Sequence, residues 1–175
     1  MMTDQSNSNA TFYHYRLLKK IIFPKSFLLS YVMLPIIWLA AEMIVISWTS
    51  IFYFIIAMII TAWIQYVIAR SILIIINHSY HKRWKFSYRL PWIGYMPDQY
   101  IPYSSFRKVH LHTAWIGCII IVAIIPWSPF EFMFSLLFWH LWLMVPKQFT
   151  ITGLKRQPKD GVLKLNERDL SYYKP

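Results

Sequence analysis

Charged residues are scarce in this sequence. Of its 175 residues, 14% are charged and 57% are hydrophobic, whereas a soluble domain has about 25% charged residues. That shortfall excludes an ordinary soluble domain. The high hydrophobicity also excludes intrinsic disorder, which requires few apolar residues. The composition therefore indicates a membrane protein.

Cysteine, glycine and acidic residues are scarce as well. The single cysteine, Cys118, excludes an internal disulfide framework and a cysteine-based zinc site. The four glycines form no GxGxxG or GxxxxGK[ST] pattern, which excludes the Gly-rich phosphate-binding loops. The seven acids are scattered and no GxSxG motif occurs, so a carboxylate pair and a hydrolase nucleophile elbow are excluded too.

Long apolar runs are what the sequence does contain. A bilayer core about 30 Å thick needs roughly 20 apolar residues in a helix. Two such runs, 27–48 and 51–76, are separated by a short turn, and two shorter runs cover 114–127 and 129–146. The pattern predicts an all-α integral membrane protein with four transmembrane helices in two hairpins. For the second pair, one bent re-entrant hairpin that does not fully cross is the alternative.

The positive charges lie between and beyond these runs. Four Lys and Arg precede the first run, six lie in the loop 77–113 and seven follow the last run, while Arg70 lies near the loop end of the second run. With four crossings all three basic stretches face one side, which the positive-inside rule makes cytoplasmic. We therefore expect both termini in the cytoplasm, no cleavable signal peptide and a bacterial plasma membrane.

The net charge of +11 suggests partners of opposite charge. Cations that flank membrane helices attract anionic lipid headgroups, by about 1 kcal/mol each. The lipid bilayer therefore accounts for the charge. No nucleic-acid recognition motif accompanies it, so no nucleic acid is expected as a partner.

The runs divide the chain into a cytoplasmic arm (1–26), a first transmembrane hairpin (27–76), a loop (77–113), a second hairpin (114–146) and a basic tail (147–175). In the arm, residues 11–24 mix aromatic, aliphatic and cationic side chains, which suits either a short interfacial helix or a disordered arm with a few anchors. In the tail, Asp160 and Gly161 stand between FTITGLKR and VLKLN. A turn flanked in this way predicts a β-hairpin.

The loop 77–113 is rich in Tyr and Trp interleaved with proline. Tyr and Trp favour the headgroup level of a membrane, and the prolines disfavour a continuous helix. We expect either an ordered lid against the cytoplasmic leaflet or plain aromatic anchoring. The candidate partner- and lipid-binding residues are Trp92, Tyr95, Tyr100, Arg107 and Lys108.

Four of the six histidines lie at the two ends of this loop. His78 and His81 are three residues apart and share one helical face, and His110 and His112 precede the second hairpin. If the two adjoining helices are neighbours, the four imidazoles meet at one depth on the cytoplasmic side. Because imidazole suits iron, zinc and copper, these four residues are candidate metal ligands, with iron or zinc as the expected metal.

The segment NHSYH (77–81) stands at the end of the second apolar run. The segment FRKVHLHTA (106–114) leads into the third run. This layout resembles the membrane fatty-acid desaturase and hydroxylase superfamily over about residues 65–115. There, two helical hairpins hold histidine boxes on the cytoplasmic side. The resemblance implies di-iron oxygenase chemistry on acyl chains. The boxes are degenerate here, because Asn77, Thr113 and Ala114 replace histidines and residues 147–175 contain none.

Two further ionisable residues lie inside the apolar runs. Arg70 can reach the cytoplasmic headgroups by snorkelling from near its helix end. His140 lies within the fourth run, where we expect it to bond a neighbouring helix.

These observations leave two hypotheses. The leading one is a small non-catalytic polytopic membrane protein that acts as an accessory or assembly subunit. It would use its loop and tail to bind another membrane protein, without a cofactor. The alternative is a degenerate desaturase-like, histidine-ligated metalloenzyme acting on acyl lipids. The absence of a third histidine box favours the first.

Overall fold

The computed structural model describes residues 16–77, 82–158, 160–166 and 169–174. These residues form the helices α1 (Lys25–Val45), α2 (Ser50–Asn77), α3 (Tyr103–Ile124) and α4 (Phe130–Gly153). They also form the strands β1 (Arg16–Ile22), β2 (Trp84–Ser87), β3 (Gly94–Pro97), β4 (Ile101–Pro102), β5 (Val162–Leu165) and β6 (Asp169–Lys174). The fold is therefore mixed α/β, and the prediction of an all-α protein is wrong.

The strands form two antiparallel sheets. The larger has the order β1-β6-β5-β4, and the smaller is the β2–β3 hairpin. The larger sheet joins the strand before α1, a strand from the loop and both strands of the tail. We call all six strands together the sheet module. Sequence periodicity misses this sheet because its strands are short and find their partners far away in the chain.

The arm is a strand where the structure describes it. From Arg16 to Ile22 it pairs with β6, from Arg16 opposite Lys174 to Ile22 opposite Asp169. The prediction of an interfacial helix or a disordered arm is therefore wrong for these residues, since pairing with β6 outweighs the local pattern. Residues 11–15 lie outside the described residues.

The tail does contain a β-hairpin, but its arms differ from the predicted ones. Residues 149–153 of the predicted first arm belong to α4, and the second arm is β5, which pairs with β6. Gly161 lies just before β5 rather than in the hairpin turn. A Cβ at this position would run into the ring of Tyr172, whose hydroxyl accepts a hydrogen bond from the Gly161 amide at 3.1 Å. Gly161 is therefore needed for close packing.

Three helices begin directly after a proline. Pro24, Pro102 and Pro129 precede α1, α3 and α4, with φ of −64°, −60° and −57°. Each proline is the N-cap, with extended ψ of 155°, 135° and 150°, and it loses no helical hydrogen bond there because the first N–H groups of a helix are unpaired. Helix α3 begins after Pro102, at Tyr103, ahead of the predicted 114.

Within the described residues, three helical segments are long and apolar enough to cross a membrane: Lys25–Val45, Ser50–Ile76 and Tyr103–Trp127. The prediction of four transmembrane helices is therefore wrong. The exception is α4, which carries Glu131, His140 and Lys147 among its apolar residues. Twelve of its 24 residues are buried against the rest of the protein, His140 and Lys147 among them, whereas Glu131 in the first turn is half-buried.

Two clusters of buried apolar residues hold the fold together. The helix core lies between the helices and includes Phe54, Leu136 and Trp139. The module core lies between the sheets and the adjoining helix ends, and it includes Phe106 and Leu163. Burial of a large apolar side chain from water contributes about 1.5–3 kcal/mol. Between helices that cross a membrane that driving force is missing and packing replaces it.

Candidate functional site

The two described histidines of the predicted metal site point to different surroundings. His110 on α3 is 1% exposed, and its ring packs against Phe106 and Trp84 at centroid distances of 4.4 and 5.7 Å. His112, two residues later, is exposed, and its Nδ1 lies 2.7 Å from the Lys108 carbonyl oxygen. Residues two apart on a helix do not face each other. The structure therefore does not bring these two together.

His78 and His81, the other two candidate ligands, lie outside the described residues. Among the described residues, no group of three or more His, Cys, Asp or Glu side chains is placed to hold a metal. Both ring nitrogens of His110 are buried without a hydrogen-bond partner among the described residues, but no such group of ligands forms around them. The described residues thus do not fit an iron or zinc centre, and the four-histidine site stays a prediction.

Two of the candidate partner-binding residues lie in the module core. Trp92 is 3% exposed, and its indole N–H donates to the Asn166 carbonyl oxygen at 3.0 Å. Tyr95 is 7% exposed and packs against Tyr66 and Trp84, with centroids 5.4 and 5.5 Å apart. Burial raises the pKa of the Tyr95 hydroxyl. Both aromatic rings hold the loop to its neighbours.

The other three candidates are more accessible. Tyr100 is half-buried, with its ring against Tyr173 at 5.8 Å and the Lys164 ammonium 5.2 Å from its centroid. Arg107 is half-buried and Lys108 is exposed, both in the first two turns of α3. A binding role for these residues stays a prediction, and Lys108 is the best placed of them to meet a partner.

A chain of buried polar side chains joins three helices. Gln65 on α2 is 5% exposed, and His140 and Lys147 on α4 are 1% and 3% exposed. The Gln65 amide donates to Nδ1 of His140 at 3.2 Å, and His140 Nε2 lies 3.1 Å from the Ala114 carbonyl oxygen on α3. The Lys147 ammonium donates to Gln65 Oε1 at 3.4 Å. We call Gln65, His140 and Lys147 the polar chain.

The sequence predicts one member of the polar chain, His140, and misses the role of Lys147. The prediction that His140 bonds a neighbouring helix is confirmed by its contacts with Gln65 and Ala114. Lys147 was assigned to the tail, although it lies in α4 and is buried. One signal was present, because Lys147 follows His140 by seven residues, or about two helical turns, and so shares its face.

The polar chain depends on a close approach of α3 and α4. Gly117 on α3 faces His140, and a Cβ at position 117 would run into the imidazole ring. Small residues at such crossings let two helices in a membrane approach closely. Gly117 therefore provides the space in which His140 reaches Ala114.

Two polar contacts tie α1 to α4. Glu42, 4% exposed, accepts hydrogen bonds from the Trp38 indole at 2.7 Å and from the Ser135 hydroxyl at 2.9 Å. Tyr31 and Trp142 stack with centroids 4.1 Å apart, and each side chain donates to the other's backbone oxygen, at 3.1 and 2.8 Å. These contacts fix α1 to the other helices.

The sheet module carries excess positive charge. The ion pairs among the described residues are Lys20–Asp169 at 3.3 Å and Lys85–Asp98 at 2.8 Å. Lys85 lowers the pKa of the Asp98 carboxyl, first by its hydrogen bond and then by its charge. The six strands contain one acid, Asp169, and six cations, so the acid cannot neutralise them: Arg16, Lys19, Lys20, Lys85, Lys164 and Lys174. The arrangement therefore suits an anionic surface.

No protein-family model, curated protein or solved structure matches this chain.

Proposed function

We propose that this protein is a non-catalytic accessory or assembly subunit, whose helices hold a cationic sheet module at the membrane face for a second membrane protein to bind. One observation carries the proposal. Segments that the helices separate in the chain, β1, β4 and the β5–β6 pair, share a single sheet. Membrane anchoring alone does not require the arm, the loop and the tail to form one ordered surface, so this shared surface supports a binding role.

The shared sheet supports a common side for these segments. The pairing of β1 with β6 supports an arm and a tail on the same side of the membrane, with α4 returning the chain to that side after the three candidate spans. The positive-inside rule makes that side cytoplasmic, here that of a bacterial plasma membrane. Trp48 and Trp127, in the two helix-to-helix turns, are 78% and 85% exposed. Exposed Trp is typical of a membrane interface.

The helix contacts support a preorganised binding surface. The polar chain joins α2, α3 and α4, and the contacts of Glu42 and Tyr31 add α1. A module held in one position loses less conformational entropy on binding than a loose arm and tail would.

The exposed strand β1 is the part of the module best suited to a partner. It lies at an edge of the sheet in the described part of the chain. Its Leu17, Leu18 and Ile22 are 50%, 37% and 63% exposed. An exposed edge strand can accept a further strand from another chain. The neighbouring Arg16 and Lys20 would favour a partner with acidic residues.

Site-specific photo-crosslinking in native membranes tests this proposal. A photoreactive amino acid replaces Leu18 in β1, and a matched control replaces Ile44, a lipid-exposed residue of α1 that is 85% exposed. We expect a discrete protein adduct from position 18 and none from position 44. Position 18 without an adduct, or the same adducts from both positions, would contradict a module-centred interface.

A further inference from the structure

An apolar groove lies between α2 and α4, beneath the β2–β3 hairpin. Its volume is about 690 Å³. Its walls include Ala62, Trp63 and Tyr66 from α2, Trp139 and Leu143 from α4, and Phe86 from β2. Apart from the Tyr66 hydroxyl and the indole N–H groups, these walls offer only apolar groups. The groove therefore suits a hydrocarbon chain.

A cationic hollow adjoins the groove. It has a volume of about 730 Å³, and Lys85, Arg89 and Asp98 are among the residues around it. Because Lys85 pairs with Asp98 at 2.8 Å, Arg89 supplies the net positive charge of the hollow. Phe86 and Tyr88 border both spaces, so the two meet along the hairpin. Tyr88 is 84% exposed. An apolar space and a cationic space side by side match the two halves of an amphiphile.

Arg70 lies where the groove approaches the module. Met58, Ala62 and Tyr66 line the groove at intervals of four residues, and residues at this spacing share one helix face. Arg70 continues that face by one step. Its guanidinium donates to the Tyr66 hydroxyl at 2.8 Å, and no carboxylate of the described residues lies within ion-pair distance of it.

The depth of Arg70 matches a lipid phosphate. Arg70 lies twenty residues after Ser50, where α2 begins. At about 1.5 Å per residue, that distance is about 30 Å, the thickness of a bilayer's hydrocarbon core. With the far end of α2 at one interface, Arg70 therefore reaches the headgroups of the leaflet on the module side.

We infer that the groove binds one anionic phospholipid from the leaflet that faces the module. An acyl chain lies along Ala62 and Tyr66, and the phosphate contacts Arg70 and Arg89. This inference goes beyond the proposed function, which concerns a protein partner at β1. The charge selects the lipid, because a zwitterionic headgroup cancels its phosphate charge with its own cation.

Native mass spectrometry of the full chain, released from nanodiscs of equal phosphatidylglycerol and phosphatidylcholine, tests the site. We expect the wild-type chain to retain one phosphatidylglycerol. Arg70→Gln should lower that retention about fivefold, the effect of one headgroup contact, and Arg70→Lys should restore most of it. Ala62→Phe should abolish retention of phosphatidylglycerol and of any phosphatidylcholine, because the Phe ring fills the groove.

Lys25→Gln is the matched control, because it removes one exposed cation at the module end of helix α1. Equal losses from Lys25→Gln and Arg70→Gln would show diffuse attraction and overturn the site. Unchanged retention in Ala62→Phe, or equal retention of both lipids by the wild type, would overturn it as well. Displacement of the lipid by free glycerol phosphate would assign a soluble phosphate instead. A cooperative thermal unfolding transition shows that each variant is folded. If an Arg70 variant does not fold, Ala62→Phe still tests the groove.

Discussion

At the residue scale, identical side chains have different roles here because their neighbours differ. His110 is enclosed by aromatic rings, His112 is exposed on the same helix, and His140 is a member of the polar chain. A count of histidines cannot separate these three cases. Burial and bonding partners decide them, and only the folded chain brings those partners together.

Gly117→Ala should destabilise the protein. The new Cβ would run into the His140 ring, and overpacking of this kind costs about 1–3 kcal/mol. Thermal unfolding in detergent measures the change. Cys118→Ala, at the neighbouring half-buried position, is the control and should have a smaller effect. A Gly117→Ala variant as stable as the wild type would show that α3 and α4 can separate freely.

Metal analysis tests the alternative enzyme at the same scale. We expect purified protein to contain no stoichiometric iron or zinc, because the described residues bring no three His, Cys, Asp or Glu side chains together and His110 and His112 point to different surroundings. Elemental mass spectrometry of the wild type and of His110→Asn measures it. One or two equivalents of iron or zinc in the wild type that are absent from His110→Asn would establish the metalloenzyme hypothesis.

The Lys85–Asp98 pair gives a small pH dependence. Lys85 lowers the pKa of Asp98 in the folded protein. The pair therefore stabilises the fold above the unfolded-state pKa, and this contribution is lost as the pH falls through the folded-state pKa. Its size should stay below about 1 kcal/mol, because both side chains are exposed.

Nuclear magnetic resonance titration of the Asp98 carboxyl checks this prediction. In Lys85→Gln the pKa of Asp98 should rise toward its ordinary value. Lys82→Gln removes a nearby exposed cation that makes no recorded ion pair with Asp98, so it should leave the titration almost unchanged. Equal shifts in both variants would point to the general positive charge instead.

At the scale of the elements, α4 differs most from its sequence pattern. Its polar residues exclude it from the candidate spans, yet half of its residues are buried against the rest of the protein. The helix tolerates His140 and Lys147 because Gln65 and Ala114 provide hydrogen-bonding partners. A helix surrounded by other helices can carry polar groups that a lipid-facing helix cannot.

Two substitutions in the polar chain should have opposite effects. Gln65→Leu leaves His140 and Lys147 without their partner, and an unpartnered buried polar group costs about 1–3 kcal/mol. Lys147→Met removes a buried charge that has no acidic partner among the described residues. Burial of an unpaired charge costs more than the one long hydrogen bond, 3.4 Å to Gln65, that the substitution removes. A variant of similar shape should therefore be about as stable as the wild type or more so.

Thermal unfolding in detergent compares these variants, with Gln148→Leu as the control. Gln148 is half-buried on α4, so the same chemical change there should have little effect. A Lys147→Met variant that loses more stability than Gln65→Leu would show that the ammonium contributes more than its one long hydrogen bond.

At the scale of the whole molecule, the larger sheet joins the strand that precedes the helices to the strands that follow them. Strand β6 lies between β1 and β5, so it holds the first described strand to the last hairpin. The helices between these strands are thereby fixed at one end. Membrane insertion and assembly of the sheet module should be separable, since the first depends on the apolar helices and the second on β6.

Truncation after residue 166 tests that separation. The shortened chain should still insert into membranes, because α1, α2 and α3 are intact. Its β1 should become sensitive to protease added from the module side, since β6 is the recorded partner of β1. Removal of residues 174 and 175 alone is the control and keeps most of the pairing. Equal protease resistance in both truncated chains would contradict the central role of β6.

The sequence by itself determined that this chain has apolar helices long enough to cross a membrane. Hydropathy is a sum over neighbouring residues, so the runs at 27–48 and 51–76 lie close to α1 and α2. The expectation that His140 bonds another helix was also correct, because a polar group among apolar residues needs a partner wherever the fold places it. These conclusions need no knowledge of distant contacts.

Only the tertiary structure decided the rest. Arg16 pairs with Lys174 across almost the whole chain, and no local pattern carries a pairing at that distance. The burial of Trp92, Tyr95 and Lys147, the number of candidate spans and the groove beside Arg70 likewise depend on which elements become neighbours. Hydropathy places a segment in lipid or in water, whereas the packing of distant segments decides which of its side chains a partner can reach.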